Sequence, residues 1–254
     1  MLSTIDLDSY FARIGYNGPE NATLLTLRPL HFFHAAAIPF ENLDPLLGEQ
    51  NTLQKAVLAA LGFYVTGLSA RAVWMTPPDR QPNSRAHMAL KVDTDEGSDI
   101  ADVGFGGFLI AGPIKLMVGL EQQTPSGMLR VVEVSNLLVL QAQFASGWRD
   151  LYQFTLEPQF AIDYKVANWF TSTHPNSQFW NDLLIERLTS EVRTSLFNRR
   201  LTRHLPDGRI EEKILSAPDE LAHSLNVELN LEPPSDAAAL FARLPRPGVG
   251  RDCN

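Results

Sequence analysis

Cysteine is almost absent from this chain, which has one, Cys253, among its 254 residues. A single cysteine excludes an intrachain disulfide framework and fits a protein that works in a reducing compartment. Long apolar runs are also missing, since the longest mainly apolar stretch, residues 56–65, is too short to span a membrane. The N-terminus has no basic segment followed by an apolar core, so no signal peptide is predicted. We therefore expect a cytoplasmic protein with no membrane partner.

Positive charge is in short supply, with 21 Lys and Arg against 29 Asp and Glu and a net charge of −8. This acidity argues against a broad nucleic-acid-binding surface. It does not exclude an anionic ligand, because local cations and backbone N–H groups can bind phosphate inside an acidic protein. The apolar share of 44% is that of an ordinary globular protein, and the length allows a sizeable hydrophobic core.

The first sixty residues are predicted to be helical. Apolar residues recur every three or four positions over residues 7–14, 24–37 and 53–61. Gly15 and Pro39 are expected to end the first two helices, and Thr52 is expected to be the N-cap of the third.

From Phe63 onward the pattern changes to short strands, with a bulge expected near Gly67. Further strands are predicted over residues 88–92, 100–103, 129–134, 137–141 and 148–154. Turn residues between them indicate a meandering sheet or a small barrel. In the last third, Pro206-Asp207-Gly208 predicts a hairpin between residues 195–205 and 209–215, and Ser235 is expected to cap a helix. The whole chain is therefore predicted to be α+β.

His87 and Asp102 form the first candidate site. His87 begins one predicted strand and Asp102 lies near the end of the next, so an antiparallel pair of strands would bring the side chains together. A carboxylate on one imidazole nitrogen fixes the tautomer and leaves the other nitrogen as a base. From the spacing alone, an exposed histidine and an unrelated strand-end aspartate is the more common interpretation.

Three other features have a chemical and a structural interpretation. The glycines of Val103-Gly104-Phe105-Gly106-Gly107 could present N–H groups to a phosphate or an oxyanion, or could simply form a tight strand exit. The hydroxyls, amides and aromatic residues of 168–179 suit a phosphate-bearing ligand with a flat ring, or a capped loop. His31 and His34 lie three apart on a predicted helix, where packing is favoured over a metal site.

The motifs Pro39-Phe40-Glu41-Asn42, Ser84-x-x-His87 and Asp102-Val103-Gly104-Phe105-Gly106, in this order, resemble those of the arylamine N-acetyltransferases. The resemblance implies three parts: a helical bundle (residues 1–63), a β-barrel (64–165) and a C-terminal α/β lid (166–254). It also implies a papain-like catalytic core.

The resemblance further implies acetyl transfer from acetyl-CoA to arylamines, hydroxylamines or hydrazines, without a metal, and a role in xenobiotic metabolism. In this family a Cys-His-Asp triad carries the acetyl group, and His87 and Asp102 match its last two members. Phe40 and Phe105 match residues that line the acceptor pocket. Positions near CoA in relatives correspond to Ser84, Gly106, Phe170, Asn176 and Ser177.

The nucleophilic cysteine of the family has no counterpart here. Relatives have a segment ending Arg-Gly-Gly-Tyr-Cys-Phe at the place where Gly48 here runs directly into Glu49-Gln50-Asn51. About two dozen residues are missing by this comparison, including the thiol on which nucleophilic catalysis depends.

Three explanations stay open. The sequence omits a segment that the protein has, or the chain is a genuine deletion, or it is a non-catalytic relative that binds CoA esters or aromatic amines. The clean edges of the break and the presence of His87 and Asp102 favour a missing segment over an evolved binder. A cysteine hydrolase with the same core is a further alternative, which the acetyltransferase-like motifs disfavour. Without a placed thiol, the 254-residue chain is expected to have no appreciable turnover.

Overall fold

The structure, a computed structural model, describes residues 5–42, 49–74, 76 and 82–246. Its N-terminal part contains three helices with the bounds Leu7–Ile14 (α1), Leu24–Ala37 (α2) and Glu49–Ala60 (α3). In α1, the Asp6 side chain accepts a hydrogen bond from the Ser9 N–H, and Gly15 ends the helix in the left-handed conformation. The first two helices match their predicted bounds. The third begins earlier than expected, so that Thr52 lies inside it and is not its N-cap.

Eight strands follow, and they form one sheet. Their bounds are Tyr64–Ala72 (β1), His87–Thr94 (β2), Gly97–Ala101 (β3), Ile114–Lys115 (β4), Gln122–Thr124 (β5), Gly127–Val134 (β6), Leu137–Phe144 (β7) and Gly147–Pro158 (β8). The spatial order is β4-β3-β2-β1-β8-β7-β6-β5, and each neighbouring pair is antiparallel. Short turns between consecutive strands produce most of this order, as the predicted meander requires.

The two edges of this sheet approach each other, which makes it a nearly closed barrel. The side chain of Gln122 in β5 accepts from the backbone N–H of Lys115 in β4 at 2.7 Å and donates to its carbonyl at 3.0 Å. The register of β1 with β8 shifts close to the predicted bulge at Gly67, between Leu68 and Ala70, but the extra residues lie in β8, because Leu68 pairs with Pro158 and Ala70 with Phe154. Bulges of this kind let a sheet curve toward closure.

The C-terminal part combines helices with a second sheet. Helices α4 (Ala161–Thr173) and α5 (Gln178–Asn181) precede strands β9 (Leu184–Leu188), β10 (Arg193–Phe197), β11 (Arg200–His204) and β12 (Ile210–Ile214), and helices α6 (Pro218–His223) and α7 (Ala237–Arg243) complete it. A π-helical turn, Ser224–Glu228, continues α6. The four strands lie in the order β12-β11-β10-β9, and the leucines of α6, the π-helical turn and α7 pack in one core with the strands.

Two sequence expectations for this part need correction. The predicted 195–205 strand is divided, because Asn198 adopts a positive φ of 53° and turns the chain between β10 and β11. The hairpin around Pro206-Asp207-Gly208 itself is confirmed by the pairing of β11 with β12. The last helix is capped by Asp236 and not by Ser235, since the Asp236 carboxylate accepts from the Ala239 N–H. Cys253 lies outside the described residues, which end at residue 246.

The three parts meet around one short bridge between distant segments of the chain. Phe40 and Glu186 pair as an isolated antiparallel bridge that joins the segment after α2 to β9. Around it, one buried cluster contains Phe40, Val103, Leu109 and Leu188, which come from all three parts. The architecture confirms the predicted α+β class, whereas the domain boundaries at residues 63 and 165 stay a prediction. Across the described segments, no helix combines the length and apolarity needed to cross a membrane.

Candidate active site

His87 and Asp102 meet at the open end of two neighbouring strands. His87 is the first residue of β2, and Asp102 directly follows Ala101, the last residue of β3. The antiparallel register pairs Leu90 with Ala101, which brings the two side chains to the same end. The His87 Nε2 and Asp102 Oδ2 atoms lie 2.6 Å apart. The contact that an antiparallel pair of strands would allow is therefore present, and the interpretation favoured by the spacing alone, an exposed histidine with an unrelated aspartate, is wrong.

The pair has the geometry of an oriented base. Asp102 is fully buried, and 12% of the His87 side chain is exposed. The second carboxylate oxygen, Oδ1, accepts a hydrogen bond from the Gly104 N–H at 3.0 Å, so both oxygens are held. With Nε2 donating to the carboxylate, the neutral imidazole has its lone pair on Nδ1, which can then take a proton from a nucleophile.

Two aromatic rings enclose the histidine. The ring centroids of Phe105 and Tyr152 each lie 5.1 Å from that of His87, and they lie 5.1 Å from each other. Tyr152 is fully buried, and burial, with the nearby Asp102 carboxylate, raises the pKa of its hydroxyl well above the usual value. The tyrosine thus stays neutral beside the pair. Sequence reasoning missed Tyr152, which follows His87 by 65 residues and belongs to no motif that was singled out.

The glycine-rich segment is a packed loop and not an open cradle. The Gly104 N–H donates to Asp102, while the N–H groups of Gly107 and Leu109 donate to the Glu186 carboxylate at 2.7 and 3.0 Å. Within the segment 103–107, the Gly104 and Gly107 N–H groups are therefore used inside the protein, so the interpretation that they bind a phosphate or an oxyanion is wrong for these two. The alternative of a tight strand exit is the better description.

Gly106 has a packing reason to be glycine. A Cβ atom at this position would overlap the ring of Phe40, which lies directly against the backbone. Phe40 is buried, and its ring centroid lies 6.1 Å from that of Phe179. Phe105 thus contacts His87 directly, whereas Phe40 contacts the same loop at Gly106, and the role of both residues in binding an acceptor stays a prediction.

The positions expected near CoA are spread over three segments. They are Ser84, Gly106, Phe170, Asn176 and Ser177. Phe170 lies on α4, and its ring stacks on His174 with centroids 4.6 Å apart. Asn176 is exposed in the turn that follows α4. Ser177 is buried, and its hydroxyl donates to the Thr171 carbonyl at 2.6 Å, so that donor is already used. Ser84 is exposed, and the CoA-binding role of all five residues stays a prediction.

His31 and His34 are packed in the interior under the sheet. The Tyr10 hydroxyl and the His34 Nδ1 atom lie 2.6 Å apart, and His31 Nε2 donates to the Ile110 carbonyl at 3.0 Å. Burial lowers the pKa of His31 to about 4 and that of His34 to about 3. Both are neutral structural residues near pH 7. Over the described part of the chain, no three His, Cys, Asp or Glu side chains are grouped as metal ligands.

Comparison with known proteins identifies the class to which this chain belongs. A family model described as N-acetyltransferase matches residues 48–236. The arylamine N-acetyltransferase of Mycobacterium tuberculosis (strain ATCC 25618 / H37Rv) is 36% identical, with 84% of this chain and 85% of that protein covered. That of Escherichia coli (strain K12) is also 36% identical, over 80% of this chain and 74% of that protein.

Solved structures agree with the sequence comparison. The Mycobacterium marinum arylamine N-acetyltransferase in complex with CoA superposes with a TM-score of 0.88 at 33% identity, over 94% of this chain and 98% of that one. For the M. tuberculosis enzyme the TM-score is 0.86 at 34% identity, over 94% and 99%. The chain belongs to the arylamine N-acetyltransferase family, a family of acyltransferases, and has its fold.

Proposed function

We propose that this site transfers an acetyl group from acetyl-CoA to an arylamine, a hydroxylamine or a hydrazine by a ping-pong mechanism. The 2.6 Å contact between His87 Nε2 and Asp102 Oδ2 is the observation that carries the proposal. Asp102 holds the imidazole so that Nδ1 accepts the proton of a cysteine thiol, and the resulting thiolate attacks the acetyl carbonyl and releases CoA. In the second half-reaction the amine attacks the acetyl-enzyme and the thiolate leaves. The M. marinum relative, whose structure contains CoA, supports the choice of acetyl donor.

The thiol of this mechanism is missing from the 254-residue sequence, whose single cysteine is Cys253. We propose that a catalytic segment is absent between Gly48 and Glu49. The alignment with the M. tuberculosis enzyme runs over 241 positions but takes in 84% of the 254 residues, about 213, so about 28 positions have no counterpart here. This difference supports a segment of the expected size, while its location rests on the motif that surrounds Glu49. The chain as it stands is expected to transfer no acetyl group.

An insertion experiment tests this assignment directly. The segment that the M. tuberculosis enzyme has at this place is inserted between Gly48 and Glu49, and arylamine acetylation is measured with acetyl-CoA. The insertion is expected to create activity, because His87 and Asp102 already have the required geometry. The same insertion combined with His87→Gln is the matched control and is expected to be inactive. A folded insertion variant that forms no acetyl-enzyme would refute the proposed role of the pair.

The second candidate is a protein that binds CoA esters or aromatic amines without turnover. It is favoured by one observation: Phe40 and Phe105, which match acceptor-pocket positions of relatives, are both present and buried in a sequence without the nucleophile. A binder predicts that acetyl-CoA or an arylamine raises the melting temperature of the 254-residue chain with no acetylated product. Absence of any thermal shift with both ligands would remove this candidate.

The cellular setting is a separate proposal. The use of a single cysteine fits the reducing cytoplasm. A role in xenobiotic metabolism is a prediction from the family resemblance. The lack of a nucleic-acid partner is a prediction from the net charge of −8, and the lack of a membrane partner is a prediction from the short apolar runs.

A further inference from the structure

Glu186 is a buried carboxylate that the acetyl-transfer chemistry does not use. It lies in the middle of β9, and 1% of its surface is exposed. Burial raises the pKa of its side chain, against the opposing effect of the Arg193 charge and of the backbone donors that it binds. Burying a charge is costly unless it is paired and hydrogen-bonded. A carboxylate at this place therefore needs specific partners.

The partners belong to the loop that follows the candidate catalytic aspartate. Each carboxylate oxygen accepts one backbone N–H: Oε2 from Gly107 at 2.7 Å and Oε1 from Leu109 at 3.0 Å. The Arg193 Nε atom lies 3.8 Å from Oε1 and supplies the nearest positive charge. The carboxylate thereby fixes the orientation of the backbone only five to seven residues after Asp102. Phe105, whose ring contacts His87, lies in the same loop.

The backbone of Glu186 pairs with Phe40, the other residue that the resemblance assigns to the acceptor pocket. The Phe40 N–H donates to the Glu186 carbonyl at 2.8 Å, and the Glu186 N–H donates to the Phe40 carbonyl at 2.9 Å. The Phe40 ring in turn packs directly on Gly106, within the loop that the carboxylate holds. One residue of the C-terminal sheet thus connects the segment after α2 with the loop after β3.

We propose that Glu186 is a positioning residue of the acceptor pocket, which sets the placement of Phe40 through its backbone and of the Phe105 loop through its carboxylate. An apolar residue in place of Glu186 would pack in the core without the cost of burying a charge. It would, however, leave the N–H groups of Gly107 and Leu109 without their acceptor. The identity of the bound ligand, an acetyl acceptor, rests on the proposed function. The contacts that Glu186 makes with Phe40, Gly107 and Leu109 do not depend on that function.

The test compares three forms of the 254-residue protein with the wild type. Glu186→Gln retains one acceptor oxygen and loses the charge, and Glu186→Asp retains the charge on a side chain one methylene shorter. Glu212→Gln, at an exposed position of β12, is the matched control. The readouts are the hydrogen-exchange rates of the Gly107 and Leu109 amides, the NMR resonances of the His87 ring, the affinity for 4-methoxyaniline as a simple arylamine, and the melting temperature.

The expected result is specific to the loop. Glu186→Gln should accelerate exchange of at least one of the two amides about tenfold, since bonds to a charged acceptor are the strong ones. It should also move the His87 ring resonances, because the Phe105 ring beside them is displaced, and weaken arylamine binding about threefold to tenfold. Glu186→Asp should give smaller changes of the same kind, and Glu212→Gln should give none.

A purely structural role predicts a different pattern. If the melting temperature falls in both Glu186 variants while the two amides and the His87 resonances stay as in the wild type, the positioning role is overturned. If Glu186→Gln does not fold, the Glu186→Asp comparison decides in the same way. If the wild type does not bind 4-methoxyaniline, the binding candidate fails for the 254-residue chain, while the exchange rates and the His87 resonances still decide the role of Glu186.

Discussion

Mild acid should destabilise the protein through the two histidines buried beneath the sheet. Burial lowers the pKa of His31 to about 4 and that of His34 to about 3, against a usual value near 6.5. Below that usual value the unfolded chain takes up two protons that the folded protein does not, so the free energy of unfolding falls as the pH decreases. The loss at pH 5 is about 2 kcal/mol for each histidine, or about 4 kcal/mol for both. This is a large part of the ordinary stability of a domain, about 5–15 kcal/mol.

The assay is urea unfolding at several values of pH between 5 and 7.5, for the wild type and for His34→Gln. The variant loses the hydrogen bond with Tyr10 at every pH, so its stability is lower throughout. The difference between the two proteins should nevertheless shrink by about 2 kcal/mol from pH 7.5 to pH 5, because only the wild type retains the His34 titration. The exposed His223, substituted by Gln, is the control for a histidine outside the core. A difference that stays constant with pH would refute the reasoning.

Two further predictions concern the site. Gly106→Ala should lower the free energy of unfolding by about 1–3 kcal/mol, because the added methyl group overlaps the Phe40 ring. Gly112→Ala is the control and should lower it by less than about 1 kcal/mol, because its nearest neighbour would lie at an ordinary 3.6 Å. Equal losses of the two variants in urea unfolding would contradict the packing argument. Asp102→Asn should change the tautomer of His87 from protonation at Nε2 to a mixture, visible in the ¹⁵N resonances of the imidazole. Identical ¹⁵N spectra in the two proteins would show that the carboxylate does not orient the ring.

The His87–Asp102 contact could be recognised in the sequence as one of two open interpretations, because the two residues lie close together along the chain. A short turn joins the two strands, and antiparallel pairing then fixes which residues share an end. The first two helices were equally accessible, since apolar spacing and the stop signals at Gly15 and Pro39 agreed. Here each local preference supported the final fold.

The rest depends on contacts between distant parts of the chain. Tyr152 reaches His87 through the pairing of β8 with β1, which no local pattern specifies. Glu186 lies between Ile185 and Arg187 in a short strand, and its partners at Gly107 and Leu109 precede it by nearly eighty residues. The glycine loop had two interpretations because its hydrogen-bond partners cannot be read from the sequence. The sequence does not show that the carboxylates of Asp102 and Glu186 already accept from the Gly104 and Gly107 N–H groups.

The central claim is that acetyl transfer at this site requires a thiol that the 254-residue chain does not place there. The most direct measurement is the intact mass of the purified protein before and after a brief exposure to acetyl-CoA. We expect a mass of 28.2 kDa with no acetyl adduct for the chain as given. A heavier protein that contains the missing segment is expected to gain one acetyl group. A protein of 28.2 kDa that gains an acetyl group and passes it to an arylamine would show that the site does not need the missing thiol.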